Sequence, residues 1–504
     1  MTKFTVPLIG VAVLTAGVGM YLGVGGKNDA CAILSKAFPD DTAMPGTTAY
    51  AEANGFHSNN TEAHPYCIFT PRDTPAVAFG VRTMVSTSTE FAIRSGGHSM
   101  NHGFASTSSG VLISLGAIKT IDIDVAGGTA VLGAGNTWGE AYAKLATSNV
   151  TVAGGRANTV GVGGLSLGGG LSFHLYEHGF GADNIVSYEV VTAAGKIITV
   201  NAESYADMFL ALKGSGAPFA LVTNFTYRLF PATPIWGGTI FSGSGTIPAL
   251  SKGVAEFMAT GIEDVKTHLI AGIAMQLVDA GDGNMVVGKF CLGIYYYRDA
   301  IAGPPEAFRE MIAAQKKEEI FNTIASPRDV AGLTTEMVPP TVTRQMQVPW
   351  MMINPTEEVL KRQVEIVEEV YTEAVKTIPG FAASLNFIPV GEQGRWDNVL
   401  GLKKGVKYLQ VHNFIGWPNE KDDGAVREVA RQIARRSTEY LKEVGHFDKF
   451  IYMNYAWDEM DPIATYGEEN IEKIRKVQEK YDPDGVWTKL VKGGFKVPPR
   501  TGAV

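Results

Sequence analysis

From Cys67 to Pro231 short apolar runs alternate with glycine turns. Apolar runs bounded by turn residues are strand signals. They place strands at Phe91-Ala92-Ile93, Val111-Leu112-Ile113, Val131-Leu132 and Tyr188-Glu189-Val190-Val191. Two helices are embedded among them, over residues 74–85 and over residues 138–145 after the turn Gly133-Ala134-Gly135-Asn136. Many short strands around few helices indicate an α+β organisation, unlike a regular βαβ alternation. Phe230-Pro231 and then Pro234 mark a boundary.

Beyond that boundary the pattern changes. Strand-like runs at residues 285–290 and 408–417 alternate with long amphipathic helices. Leu360, Val364, Val367, Tyr371 and Ala374 share one helical face, as do Val426, Val429, Ile433, Tyr440 and Val444. A sheet with helices on one side is the simplest packing of such elements. The tail holds a strand-like Phe450-Ile451-Tyr452 and a helix carrying Ile471, Ile474 and Val477. The expected division is 27–231, 232–448 and 449–504, after a leader at 1–26.

Composition narrows the function classes. At 504 residues the chain is too long for one ordinary core. Its net charge of −8 argues against nucleic acid, whose phosphates reward clustered Lys and Arg. Lys3 precedes an almost uncharged run from Phe4 to Val24, which reads as a signal peptide or, alternatively, as an uncleaved anchor. In a secretory compartment Cys31 and Cys67 are expected to pair; two buried thiols are the alternative. Asn59, Asn149 and Asn224 begin glycosylation sequons, which agrees with secretion. The oligomeric state is not encoded in any motif.

Candidate chemistry concentrates in two glycine clusters. In Ile93-Arg94-Ser95-Gly96-Gly97-His98-Ser99 a strand runs into a glycine loop, whose successive N–H groups suit an anion such as pyrophosphate. His98 on that loop is mostly neutral near pH 7 and therefore nucleophilic. The second cluster runs from Gly154 to Gly170 and departs from the Rossmann fingerprint, with Ser166 where its third glycine belongs. Nine histidines lie without metal-ligand spacing, so no metal site is expected. Gln410, His412 and Phe414 alternate on one strand face and are read as packing under helices rather than as pocket lining.

Residues 94–99 and 154–170, Gly181-Ala182-Asp183-Asn184, residues 207–214 and Phe219-Ala220-Leu221-Val222-Thr223 follow one another in an order that resembles a known family. It is the FAD-binding domain of p-cresol methylhydroxylase, vanillyl-alcohol oxidase and berberine-bridge-enzyme-like proteins, fungal members above all. Tyr452-Met453-Asn454-Tyr455, Tyr466-Gly467 with Asn470, and Tyr481-Asp482-Pro483 resemble the berberine-type C-terminal segment. The resemblance implies a two-part FAD-binding domain and a substrate domain whose antiparallel sheet is covered by helices. It implies FAD bound covalently through His98 alone, because Ala157 stands where some relatives carry a second, cysteine tether. Flavin contacts are implied for Arg94, Ser95, Gly96, Gly97, Ser99, Gly155, Ala157, Thr159, Val160, Gly161, Gly163, Gly164, Asn184 and Val222. Valine at position 160 accompanies oxygen use in relatives, and Tyr452, Asn454 and Tyr455 become the catalytic candidates. One departure stands out: Ala217-Pro218-Phe219-Ala220 replaces a common Gly-Asn-Phe-Gly.

The implied activity is oxidation of a small alcohol or amine in fungal specialised metabolism. Hydride passes to flavin, O2 reoxidises it, and hydrogen peroxide is released in the secretory lumen or outside the cell. A flavoprotein cyclase and a non-catalytic secreted flavoprotein are the alternatives.

Overall fold

A computed structural model describes residues 29–281, 283–337 and 344–500. The leader expected at residues 1–26 lies outside them. No helix among the described residues is long and apolar enough to cross a membrane.

The first part is an α+β unit built on two sheets. A four-stranded sheet is ordered Thr42–Ala43, Cys67–Phe69, Val111–Ser114, Phe91–Arg94, with its last three strands parallel. The helix Thr74–Ser86 starts where expected because Asp73 accepts from the Ala76 N–H at 2.8 Å and Pro75 occupies the first turn. A five-stranded antiparallel sheet follows, ordered Ile121–Asp124, Thr129–Gly133, Leu221–Arg228, Ile185–Val191, Ile197–Asn201. The helix Trp138–Ala146 opens on a capping box in which Thr137 and Glu140 each satisfy the other's backbone donor. Between these elements the second glycine cluster forms a six-residue helix, Val162–Leu167, that the apolar pattern did not disclose.

The second part is one sheet of nine strands, from Ile235–Gly243 to Phe447–Asp448, antiparallel throughout its long central strands. Helices Glu357–Thr377 and Asp423–Glu443 pack on it. On the first, the expected face is buried in full. On the second, Val426 and Ile433 are buried with Ala430, Ser437 and Leu441, Val429 and Tyr440 are half-buried against the core, and only the expected Val444 turns outward. Val444 follows the last helical residue, where helical spacing no longer applies.

The tail returns to the first part. Helix Glu468–Tyr481 packs on Ala206–Leu212, and the Phe91 N–H donates to the Leu490 carbonyl at 2.9 Å. Residues 450–452 form no strand, contrary to expectation. Phe450 and Tyr452 are buried because the segment threads between the two parts, not because it joins a sheet.

Cys31, on helix Asp29–Ala37, is joined to Cys67 as expected. The bond closes a loop of 36 residues and ties this helix to the four-stranded sheet. Such a closure stabilises by about 3–4 kcal/mol. Cys67→Ser is therefore expected to lower the free energy of unfolding by that amount in a denaturant titration. A loss under about 1 kcal/mol would mean that the packing of Leu34, Val77 and Val81 holds the helix without help.

Candidate functional site

The two parts meet around a cavity of about 680 Å³. One wall is glycine loop, the other is the sheet face carrying His412 and Phe414. At the end of strand Phe91–Arg94 the chain turns through Gly97, whose φ of +68° disfavours a side chain. The N–H groups of Gly96, Gly97, His98 and Ser99 donate to no oxygen among the described residues. Four orphaned donors in a row beside a cavity form a cradle for an anion. Behind them the loops touch backbone to backbone: a Cβ on Gly96 would lie 2.5 Å from the Gly161 Cα. A Cβ on Gly164 would meet nothing and would project into open space along the cavity. An orphaned amide cradle and a wall stripped of side chains fit the pyrophosphate and flat ring of FAD.

His98 lies on the rim of this cradle. Its Nε2 is 3.2 Å from the Thr159 hydroxyl and its ring stacks on His57 with centroids 3.6 Å apart. Burial, with the His57 charge second, pushes the His98 pKa down to about 3. The imidazole is thus neutral at any physiological pH, and its Nδ1 has no hydrogen bond to another residue.

Two tyrosines of the tail take different roles. The Tyr452 oxygen accepts from the Gly170 N–H at 3.1 Å, the Leu171 N–H at 2.9 Å and Asn454 Nδ2 at 3.0 Å. Burial, with Tyr455 second, pushes its pKa up to about 12. This phenol anchors the tail to the glycine cluster. Asn454 completes the anchor by donating to the Leu165 carbonyl at 3.0 Å. Tyr455 lines the cavity beside Tyr452 and Asn454. Its oxygen accepts from Arg156 at 2.6 Å, and since arginine only donates, the phenol's own proton is left for another partner. Its ring stacks on His412 at 4.1 Å.

Ser95, Gly96, Gly97, Ser99, Ala157, Val160, Gly161, Gly163, Gly164 and Val222 line the cavity with His98, as the sequence suggests. Four other candidates do not. Arg94 donates to the Gly55 carbonyl at 3.0 Å and to the Ala53 carbonyl, and so fixes the chain beside the loop. Gly155 leaves room for the Trp138 ring, 2.4 Å from where its Cβ would be. Thr159 meets His98, and Asn184 braces a turn by donating to the His178 and Phe180 carbonyls. His412 and Phe414 line the cavity, correcting the packing reading, while Gln410 beside them is buried and bonded to backbone carbonyls. Arg156 was missed because nothing in its neighbourhood of glycines points to a charge turned inward. Ala217 lines the cavity with φ at +56°, a conformation that favours glycine.

Two smaller outcomes concern modification and metal. Asn59 and Asn149 are exposed. Asn224, in contrast, lies on the central strand Leu221–Arg228 with its amide nitrogen donating to Glu189 at 2.6 Å, so a glycan has no access there. His174, Glu177 and His178 bring their ligand atoms within 4.8 Å of one another, at helical spacing that the sequence reading passed over. Arg298 already pairs with Glu177, and a guanidinium there opposes a second cation.

Buried imidazoles make the fold acid-sensitive. Burial is the first cause of a lowered pKa for His98, His174 and His412, each down to about 3, and for His268 as well. The unfolded chain titrates these groups near 6.5 and so binds more protons than the folded one below that pH. Stability is therefore expected to fall steadily as pH drops from about 6.5 towards 3. Denaturation midpoints at pH 7.5 and pH 5 would test this; equal midpoints would show that the imidazoles are solvated.

A family model described as an FAD binding domain matches residues 65–201. The FAD-dependent monooxygenase of Fusarium proliferatum is 31% identical, over 97% of this chain and 98% of its own length. The bifunctional solanapyrone synthase of Alternaria solani is 30% identical, over 94% of this chain and 90% of its own. Glucooligosaccharide oxidase of Acremonium strictum, described with a 6-S-cysteinyl, 8α-N1-histidyl FAD, shares the fold. Its TM-score is 0.71 at 17% identity, covering 91% of this chain and 98% of that one. The relatives at 30% and 31% identity along nearly the whole chain show that it belongs to a family of fungal FAD-dependent oxidoreductases, and it shares its fold with a berberine-bridge-enzyme-like protein of Physcomitrella patens at a TM-score of 0.72 and 19% identity.

Proposed function

We propose that the protein oxidises a small organic alcohol or amine, with FAD tethered covalently through His98 and O2 as the final electron acceptor. Bound there, FAD would supply a hydride acceptor for the substrate carbon and a route for the electrons to O2, released as hydrogen peroxide. The loop amides of Gly96 to Ser99 hold the cofactor's anionic centre. His98 supplies a neutral ring nitrogen as the nucleophile for attachment, and Ala157 offers no second one. Tyr455 accepts the proton of the substrate hydroxyl or amine while its own phenolic proton passes on to solvent, so its oxygen stays neutral and keeps the bond from Arg156. Tyr452 and Asn454 position that tyrosine by fixing the tail to the glycine cluster. The single observation that carries this reading is the cavity itself, in which His98 on one side and Tyr455 on the other share one space.

Val160 lines that space and supports direct use of oxygen. The disulfide, together with exposed sequons at Asn59 and Asn149, supports a secreted or secretory-lumen protein. Fungal specialised metabolism is the expected setting, since the relatives at 30% and 31% identity are fungal. The test is stoichiometry in labelled oxygen. An oxidase releases one peroxide per product and incorporates no oxygen from O2. Label in the product would make it a monooxygenase, the name its relatives carry. Product without oxygen uptake would make it a cyclase, a reading to which its likeness to a named synthase also lends support.

A further inference from the structure

Arg156 is 5% exposed, yet its guanidinium faces the cavity. Among the described residues no carboxylate is paired with it. Its two side-chain partners are neutral acceptors, His268 Nε2 at 3.0 Å and the Tyr455 oxygen at 2.6 Å. Both neighbouring imidazoles are kept uncharged, His268 and His412 alike, by burial first and by Arg156 second. A guanidinium has five N–H donors, and these two bonds leave the others unspent. Burying an ion without a counter-charge is costly, so a cation held this way belongs with an anion that arrives from outside.

The surroundings say where that anion sits. His412 Nε2 is buried without a hydrogen-bond partner and the residue lines the same cavity. Glu336, the one acid among the described lining residues, is already occupied. Arg328 donates to it at 2.7 Å, and Thr239 and Thr323 donate at 2.8 Å each. On the same sheet face lie the apolar side chains of Ile270, Leu292, Ile294 and Phe414. The unpartnered loop amides of Gly96 to Ser99 offer the cofactor's pyrophosphate a separate site. Arg156 instead bonds to the sheet strand Thr267–Asp279 and to the tail, which form the substrate side.

We propose that Arg156, with His412 and Tyr455 beside it, forms a subsite for an oxyanion on the substrate: a carboxylate, or the ionised oxygen of an acidic enol or phenol, carried on a small apolar body. This rests on the reading of the cavity as one shared by flavin and substrate. Charge-assisted hydrogen bonds from a planar fork suit such a group, and a neutral alcohol leaves the fork's charge unanswered.

The test uses the purified holoenzyme and reads the flavin absorption band, not turnover. Benzoate and dimedone, a carboxylate and an acidic enol, are titrated against their neutral counterparts benzamide and cyclohexanone. At least one anion is expected to perturb the band saturably, at least about tenfold more tightly than its counterpart. Which anion binds more tightly tells carboxylate from enolate. Arg156→Gln is expected to weaken that anion about 10- to 100-fold, and Arg156→Lys to restore part of the loss. Sulfite, which adds to the flavin ring, separates the two destinations of the charge. If Arg156→Gln loses sulfite affinity but keeps anion affinity, the guanidinium serves the flavin and the subsite is refuted. Equal binding of anions and neutral counterparts by the native protein refutes it too, with no need for a variant that folds. A native chain that binds no flavin at all would overturn the flavin reading itself, an outcome visible before any titration begins.

Discussion

His98→Ala is expected to abolish acid-stable flavin. The native protein, precipitated in acid, should keep its yellow colour in the pellet on a peptide containing residue 98. The variant should release all of it to the supernatant. The expectation rests on three features of the side chain. Burial holds the imidazole neutral, with a pKa near 3, so a lone pair is available without any prior loss of a proton. Thr159 and the stacked His57 ring fix its orientation, so little freedom is lost when a bond forms. It stands on the same cavity wall as the orphaned amides, and hence beside whatever they hold. The variant should still bind FAD reversibly, because the amide cradle and the glycine wall remain. Covalent flavin persisting in His98→Ala would remove the histidine from its assigned role, and Ala157 leaves no cysteine at the family's second position to take it over.

Tyr455→Phe is expected to cut turnover by about 10² to 10⁴, the usual range for loss of a positioned acid–base group. Flavin content and melting temperature should change little, since the ring and its stacking on His412 are kept. Tyr452→Phe should behave in the opposite way. It strips the acceptor from the buried Gly170 and Leu171 N–H groups, at about 1–3 kcal/mol for each group left unsatisfied. Its main readout is therefore a lowered melting temperature, with a smaller effect on the rate of the protein that stays folded. If Tyr452→Phe instead lost turnover while keeping stability, the assignment of base and anchor would be reversed. Sequence spacing does not make this distinction, because both tyrosines belong to one four-residue motif.

What the sequence determined by itself was local in origin. The glycines of residues 96–97 and 161–164 mark places where backbone meets backbone or cofactor, and a missing Cβ is written in the residue type. Helix starts at Asp73 and Thr137 follow from capping chemistry within three residues. The long helix Glu357–Thr377 buries the stripe its period predicts. Strand alternation likewise put Gln410, His412 and Phe414 on one face.

Tertiary structure decided which way those faces look. His412 and Phe414 line a cavity because the first part of the chain lies across that side of the sheet, a fact with no local signature. Arg156 meets His268 and Tyr455 across 112 and 299 residues of sequence, so its buried charge is invisible to any window along the chain. Tyr452 became an anchor only because two amides from residues 170 and 171 arrive at its oxygen. Residues 450–452 carry a strand-like apolar pattern for a non-strand reason: burial between two parts selects the same side chains as burial in a sheet. Patterns of burial are recorded in the sequence; the partner that does the burying is not.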